Sequence, residues 1–218
     1  MSLWKIAWRS IQHRTLASSL TAVSMALGVA LVVAVLVIHG VLDQSFKRGA
    51  QGYDLIVGPK GSPLDLTLST VFYLDAPSGT IPESYYDELA FGKFSEAVEQ
   101  RDSIRMAFPI CLGGNYKGYP IVGTTSDLFD KLEFARDRRY TFSEGRNFKM
   151  GDFYTGVIGS TVAKKTGLKV GDTFRPVHGL DPNQGELHDP FEIVGILDHT
   201  GTPNDRALFI NIEGFWDM

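Results

Sequence analysis

From Thr15 to Leu42 the chain carries no Asp, Glu, Lys or Arg, and no polar stripe interrupts Leu20–Ile38. Wound as a helix at ~1.5 Å per residue, Leu16–Leu42 is roughly 40 Å long. A bilayer's hydrocarbon core is about 30 Å thick and takes about 20 apolar residues to cross. A spanning segment must satisfy every backbone N–H and C=O within itself, as a helix does. The pattern therefore predicts a transmembrane helix over 15–42. A buried core helix would be shorter and keep a polar stripe. A cleaved signal peptide has an apolar run of about 7–15 residues; Gly28-Val29-Ala30 has the small residues of a cleavage site, yet the run continues through Leu31–Ile38. Ala22, Ala26, Ala30 and Ala34 recur every four residues after Ser18, and Ser24 is followed at that spacing by Gly28. Small residues so spaced let membrane helices approach closely. Ala22, Ala26, Gly28, Ala30 and Ala34 are the candidate helix-packing positions.

Ahead of this run, Ser2–Arg14 is amphipathic. Leu3, Trp4, Ala7, Trp8 and Ile11 fall on one helical face, and Lys5, Arg9, Gln12 and His13 on the other. A basic helix with Trp on its apolar side lies in a membrane interface or docks into a groove on a cytoplasmic partner. Residues 1–14 are thus an elbow, 43–51 a polar, helix-compatible stalk, and 52–218 the folded domain.

Within that domain the expected class is α+β, in one or two lobes, because short strand patterns alternate with helical ones. Tyr53–Val57 is an apolar run closed by Gly58-Pro59, hence a strand. Leu64–Leu74 has no clean period and stays unassigned. Pro82-Glu83 opens a helix reaching about Gln100, with Tyr86, Leu89, Ala90, Phe94 and Val98 on one face. Ser103–Leu112 and Tyr119–Gly123 alternate as strands around a Gly113-Gly114-Asn115 turn. Ser126–Leu132 is a short helix and Arg136–Tyr140 a charged connector. Thr155–Ile158 is a strand leading to a helix at Ser160–Thr166, with Ser160 as its N-cap and Gly167 closing it. Thr173–Val177, Phe191–Leu197 and Ala207–Ile210 are strands, Gly179–Asp189 is a polar mobile loop, and Glu213 starts a last helix. No internal repeat is present.

Charge orients this plan. The 25 acidic residues all follow Leu42, whereas Lys5, Arg9 and Arg14 precede the helix, so the first 14 residues carry +3 and the rest −7. Basic flanks stay in the cytoplasm, which puts the N-terminus inside and the domain outside, although Lys47 and Arg48 sit on the outer flank. An acidic domain also lacks the footprint of nucleic-acid binding. Cys111 is the single cysteine, so no internal disulfide forms.

Candidate chemistry is sparse. Gly58-Pro59-Lys60-Gly61-Ser62 is not a phosphate-binding G-x-x-x-x-G-K-[ST] loop, and Pro59 removes a backbone donor. Gly159-Ser160-Thr161-Val162 lacks the second Gly of a nucleophile elbow. His178, His188 and His199, with Asp181, Glu186, Asp189 and Asp198, share one polar region, but their spacing matches no metal-binding pattern, and solvated loop residues explain them. Glu144 and Asp152 have no paired context for acid–base work. The expectation is no enzyme, no metal and no cofactor.

One set of residues does carry a resemblance. Trp4-Lys5-Ile6-Ala7-Trp8-Arg9-Ser10-Ile11, Arg14, Leu20-Thr21 and Ala26-Leu27-Gly28-Val29-Ala30 resemble the opening of permeases of the MacB/FtsX/LolC type. Asp54–Pro63, Gly145-Arg146, Val157–Ser160, Gly167–Asp172 and Phe191–Leu197 are similar to signatures of their outer domain. The resemblance implies a MacB-like periplasmic core domain and a permease subunit in an ABC-type export or mechanotransmission complex. It also implies a separate cytoplasmic ABC ATPase, a second permease copy or homologous permease, and contact with membrane lipid. Trp4, Trp8, Arg9 and Arg14 become the expected ATPase-coupling elbow. Such permeases carry three further membrane helices after the outer domain, so this chain reads as a fragment truncated at its C-terminal end, or as one whose remaining spans lie on another chain. The alternative is a single-span anchored binding or adaptor domain; an exported hydrolase fits less well, for want of a nucleophile.

Overall fold

The computed structural model describes residues 3–49, 52–74, 76–92, 104–135, 137–178 and 188–217. The chain forms two units, Met1–Lys47 and Arg48–Met218.

The first unit is helical. α1 covers Leu3–His13 and α2 covers Thr15–Gly49. Within Thr15–Val41 the most apolar 18-residue window has a mean hydropathy of 2.7, and none of that window is buried. An amphipathic surface helix buries one stripe; this one is apolar all round. Two of its hydroxyls bond along its own backbone, Ser19 donating to Leu16 O and Thr21 to Ala17 O, as suits a segment away from water.

In the second unit the elements run α3 (Pro63–Thr70), α4 (Glu83–Phe91), β1 (Cys111–Tyr116), β2 (Tyr119–Thr124), α5 (Asp127–Asp130), β3 (Glu133–Ala135), β4 (Arg138–Arg139), β5 (Phe142–Gly145), β6 (Thr155–Ile158), α6 (Ser160–Thr166), β7 (Thr173–Phe174), β8 (Val177–His178), β9 (Phe191–Leu197), a 3-10 turn at Pro203–Arg206, β10 (Leu208–Asn211) and α7 (Ile212–Trp216). The main sheet has the order β5-β9-β6-β10-β2-β1-β8, with β7 also paired to β9. It is mixed: β6 runs parallel to β9 and β10 parallel to β2, while β10 and β6 are antiparallel.

This order forces the sheet to curl. β7 pairs with β9 and β8 pairs with β1, at opposite ends of the path, yet only Arg175 and Pro176 separate them. In a flat sheet the two strands would lie roughly 29 Å apart at ~4.8 Å per strand, whereas three residue steps reach only about 11 Å. The Phe174 ring confirms the closure, packing on Phe191 of β9 at 5.9 Å and on Tyr116 of β1 at 5.7 Å.

Both sheet faces are covered. Ile121, Ile158, Phe191, Ile193, Leu208 and Ile210 form one buried cluster, with Val162 of α6. Their neighbours Val122, Val157, Leu197 and Phe209 form the other, with Leu128 and Phe129 of α5 and with Tyr73, Tyr140 and Phe148. Side chains alternate between faces, so a strand covered on both faces reads as an unbroken apolar run.

Several expectations need correction. Tyr53–Val57 forms no strand; Leu55 and Val57 are exposed and no neighbouring strand pairs with them. The unassigned Leu64–Leu74 is helical over Pro63–Thr70, started by Ser62, whose Oγ accepts from Asp65 N, with Pro63 in the first turn. The helix from Glu83 stops at Gly92, left-handed at φ 62°; its extension to Gln100, with Phe94 and Val98, lies outside the described residues. Pro109 cannot donate to a ladder, and β1 begins only at Cys111. The turn expected at Gly113–Asn115 falls instead at Lys117 and Gly118, both at positive φ (51° and 83°), as a two-residue hairpin turn demands. Gly113 and Gly123 lie under Phe215, whose ring would meet an added Cβ at 3.1 and 2.5 Å respectively. Within the connector expected at Arg136–Tyr140, Arg138–Arg139 form a strand, since β4 pairs with β3; Arg136 lies outside the described residues. Ser160 is the first residue of α6, and Gly159 is its N-cap without a side-chain bond.

Candidate functional site

Trp4 and Trp8 lie one helical turn apart on α1, 78% and 56% exposed, with Lys5 and Arg9 exposed beside them. Arg14 is the single residue between α1 and α2 and is exposed as well. Trp projects as a rigid amphipathic ring and Arg as a planar five-donor fork, a combination suited to a groove or to a lipid headgroup layer. On α2, Ala22, Ala26, Gly28, Ala30 and Ala34 are all exposed, and a Cβ added at Gly28 would meet nothing within 4 Å. These small residues are uncovered along α2.

The polar residues of the domain come together differently from their order along the chain. His178 pairs through its backbone with Gly114, and His188 N donates to Pro176 O. His199 sits elsewhere, its Nδ1 2.8 Å from Asp205 Oδ2. Asp181 and Glu186 lie outside the described residues. Asp198 accepts from Thr141 Oγ1 at 2.6 Å. Among the described residues no three His, Cys, Asp or Glu gather as a metal would need.

Asp205 organises the loop that follows β9. Its carboxylate, 4% exposed, accepts from Thr200 N, Thr200 Oγ1 and Gly201 N at 2.9, 2.9 and 2.8 Å. The loop packs onto the start of α6, where a Cβ on Gly159 would strike Asn204 O and Asp205 O at 2.3 and 2.4 Å. Ser160 Oγ comes within 3.3 Å of His199 Nδ1. That is the ring nitrogen Asp205 already holds, whereas a proton relay needs Ser and Asp on opposite nitrogens. The trio holds the loop in shape.

Beside it opens a shallow cleft of about 330 Å³, lined by Phe134, Asp137, Arg138, Arg139 and Thr141 on one side and Asp198, His199 and Thr200 on the other. Its cations are already engaged: Arg139 Nη2 meets Glu133 at 3.0 Å, and Arg138 lies 4.8 Å over the Phe134 ring. Asp152, read above with Glu144, pairs with Arg146 at 3.0 Å, which with the Lys149 amide holds its carboxyl below the usual range. Half-buried Cys111 has its thiol pushed up to about 11 by burial, with the Glu83 charge adding to it.

A buried polar cluster in the domain escaped sequence reasoning. Tyr73 OH donates to Asn204 Oδ1 at 3.0 Å, and Asn204 Nδ2 donates to Tyr140 OH at 2.6 Å. Tyr53 OH lies within hydrogen-bonding reach of Tyr73 and Asn204. Burial pushes the Tyr53 phenol up to about 12 and holds those of Tyr73 and Tyr140 well above the ordinary range. These tyrosines lie far apart in sequence, in segments with no regular period. The one available signal was the Pro203-Asn204-Asp205-Arg206 turn signature.

The sequence matches the MacB-like periplasmic core domain family over residues 18–217. No curated protein matches the chain. Among solved structures it is similar to the periplasmic region of MacB from Actinobacillus actinomycetemcomitans, at 12% identity and a TM-score of 0.36. That match covers 52% of this chain and 50% of the other, so the chain spans about half of the solved region.

Proposed function

Because the chain belongs to the family of MacB-like periplasmic core domains, we propose that it serves in the membrane permease subunit of an ABC-type export or mechanotransmission complex. One observation carries this reading: a helix with its apolar surface uncovered over Thr15–Val41 and a domain of that family share one chain. In this reading α2 crosses the cell membrane once, with α1 in the cytoplasm and the domain beyond α2 outside. The basic N-terminal 14 residues and the acidic remainder support that direction.

ATP is then bound and hydrolysed by a separate cytoplasmic ABC ATPase, which α1 engages through Trp4, Trp8, Arg9 and Arg14. A second permease copy, or a homologous permease, packs along Ala22, Ala26, Gly28, Ala30 and Ala34 within the lipid. The chain catalyses nothing itself. Nucleotide state biases two arrangements of the outer domain through a rigid helix.

Co-purification from membranes with a co-expressed P-loop ATPase tests this. The intact chain captures the ATPase, and Trp8→Ala/Arg9→Glu loses most of that capture. Unchanged capture by the double variant removes α1 from the coupling. No capture by the intact chain leaves a membrane-anchored binding domain instead. Protease added outside intact cells digests the domain; digestion only from the cytosolic side reverses the orientation.

A further inference from the structure

α2 ends at Gly49, and the first two described residues after it are both pinned. Gly52 has φ +92°, and a Cβ there would lie 2.6 Å from Glu133 O and 3.2 Å from Phe134 Cα, so the backbone runs tightly along β3. Tyr53 packs its ring on Phe108 at 5.9 Å and reaches Tyr73 and Asn204 with its hydroxyl. Asn204 in turn holds Tyr140 and lies in the 3-10 turn that leads through Ala207 into β10. β10 lies inside the sheet, between β6 and β2. Beyond Tyr53, Leu55 and Val57 are exposed and grip nothing comparable.

We propose that Tyr53, locked to Tyr73, Asn204 and Tyr140, is the anchorage through which a displacement of α2 is delivered to β10 and the 199–206 loop. This rests on the reading of α2 as a helix moved by a cytoplasmic ATPase. Three residue steps from Gly49 to Gly52 allow at most about 11 Å of chain, so there is little slack to absorb the movement. A buried network whose members satisfy one another yields less readily than a solvated contact, because a broken bond leaves an unpaired group out of reach of water. Tyr53 is a positioning residue here.

The test uses the full chain with its ATPase in lipid nanodiscs, read by amide hydrogen exchange with and without a non-hydrolysable ATP analogue. Two variants are compared: Tyr53→Phe, which removes only the hydroxyl, and a Gly-Ser insertion after Gly49, which adds roughly 7 Å of slack and leaves the network intact. In the unaltered chain the nucleotide changes exchange across 199–211 by about threefold or more. Both variants keep ATPase capture and unaltered protection in β6 and β9, and both lose the nucleotide response. A response that survives in both variants overturns the anchorage, as does an unaltered chain that captures the ATPase and shows no response in 199–211. Should Tyr53→Phe lose protection in β6 and β9, the insertion decides the matter. Absence of capture by the unaltered chain refutes the permease reading itself, an outcome separate from failure of the anchorage.

Discussion

Asp205→Ala is the substitution whose cost the geometry defines best. The carboxylate is buried and receives four contacts, from Thr200 N, Thr200 Oγ1, Gly201 N and His199 Nδ1. They are unequal. The His199 side chain is 67% exposed, so water replaces its partner, and an ion pair in that setting contributes about 0–1 kcal/mol. Thr200 Oγ1 has an alternative in Thr202 Oγ1 at 2.7 Å. The two backbone amides have no such substitute. A hydrogen bond to a charged acceptor contributes about 1.5–3 kcal/mol, and leaving the donor unmet costs at that scale.

The loss should therefore be roughly 3–4 kcal/mol, most of it from Thr200 N and Gly201 N. For a unit of this size each kcal/mol lowers Tm by about 2–4 °C, which puts the drop at roughly 6–16 °C. Asp205→Asn keeps one acceptor oxygen but turns an amide donor toward Gly201 N, and should cost about half as much. His199→Gln should stay within about 1 kcal/mol. The assay is thermal unfolding of the full chain in detergent, followed by near-ultraviolet circular dichroism. If His199→Gln cost as much as Asp205→Ala, or if Asp205→Ala moved Tm by less than about 3 °C, the assignment of the stabilisation to the loop amides would be wrong.

Two further outcomes follow from the packing and the buried phenols. Gly123→Ala places a methyl 2.5 Å from Phe215 Cγ and should cost about 1–3 kcal/mol. In Phe215→Ala the same substitution should cost much less, so a double-mutant cycle measures the clash, and strict additivity would refute it. Tyr53, raised to about 12 in the folded chain from 10.0, favours the fold while it is neutral; that stability is complete below pH 10 and is lost as pH rises from there through about 12. Alkaline titration should show its phenolate, with those of Tyr73 and Tyr140, appearing only as the domain unfolds, the slope contributed by each being roughly 1.4 kcal/mol per pH unit. Free titration of all the tyrosines near pH 10 in a folded chain would contradict the burial.

What was legible in the sequence was what neighbouring residues decide. Thr155–Ile158, the helix ending at Gly167 and the run Phe191–Leu197 stand where the pattern put them, because β-branched residues, a left-handed glycine and a doubly covered strand each leave a local mark. Gly113-Gly114-Asn115 misled for the opposite reason. Glycine signals freedom from a side chain, and a turn is only one use of that freedom; here the space serves Phe215, about a hundred positions away, while Lys117 and Gly118 make the turn. Tyr53–Val57 misled likewise, since a short apolar run closed by a Gly-Pro turn signal says nothing of a pairing partner.

The candidate site divides along the same line. Trp4, Trp8, Arg9 and Arg14 stand out because an amphipathic helix displays its pattern within four turns. Tyr53, Tyr73, Tyr140 and Asn204 do not, because they come from segments far apart in the chain and meet on the face opposite Phe174, the ring that closes the curl. That curl is itself a non-local fact carried by two residues. Arg175 and Pro176 join a strand paired with β9 to one paired with β1. Pro176 lacks the N–H that an uninterrupted ladder would use, so the chain leaves one pairing there and takes up the next. From sequence alone Thr173–Val177 reads as one strand. Its division between two partners closes the sheet, and with it encloses the core of Ile121, Ile158, Phe174, Phe191 and Ile193, while the phenols gather on the opposite face.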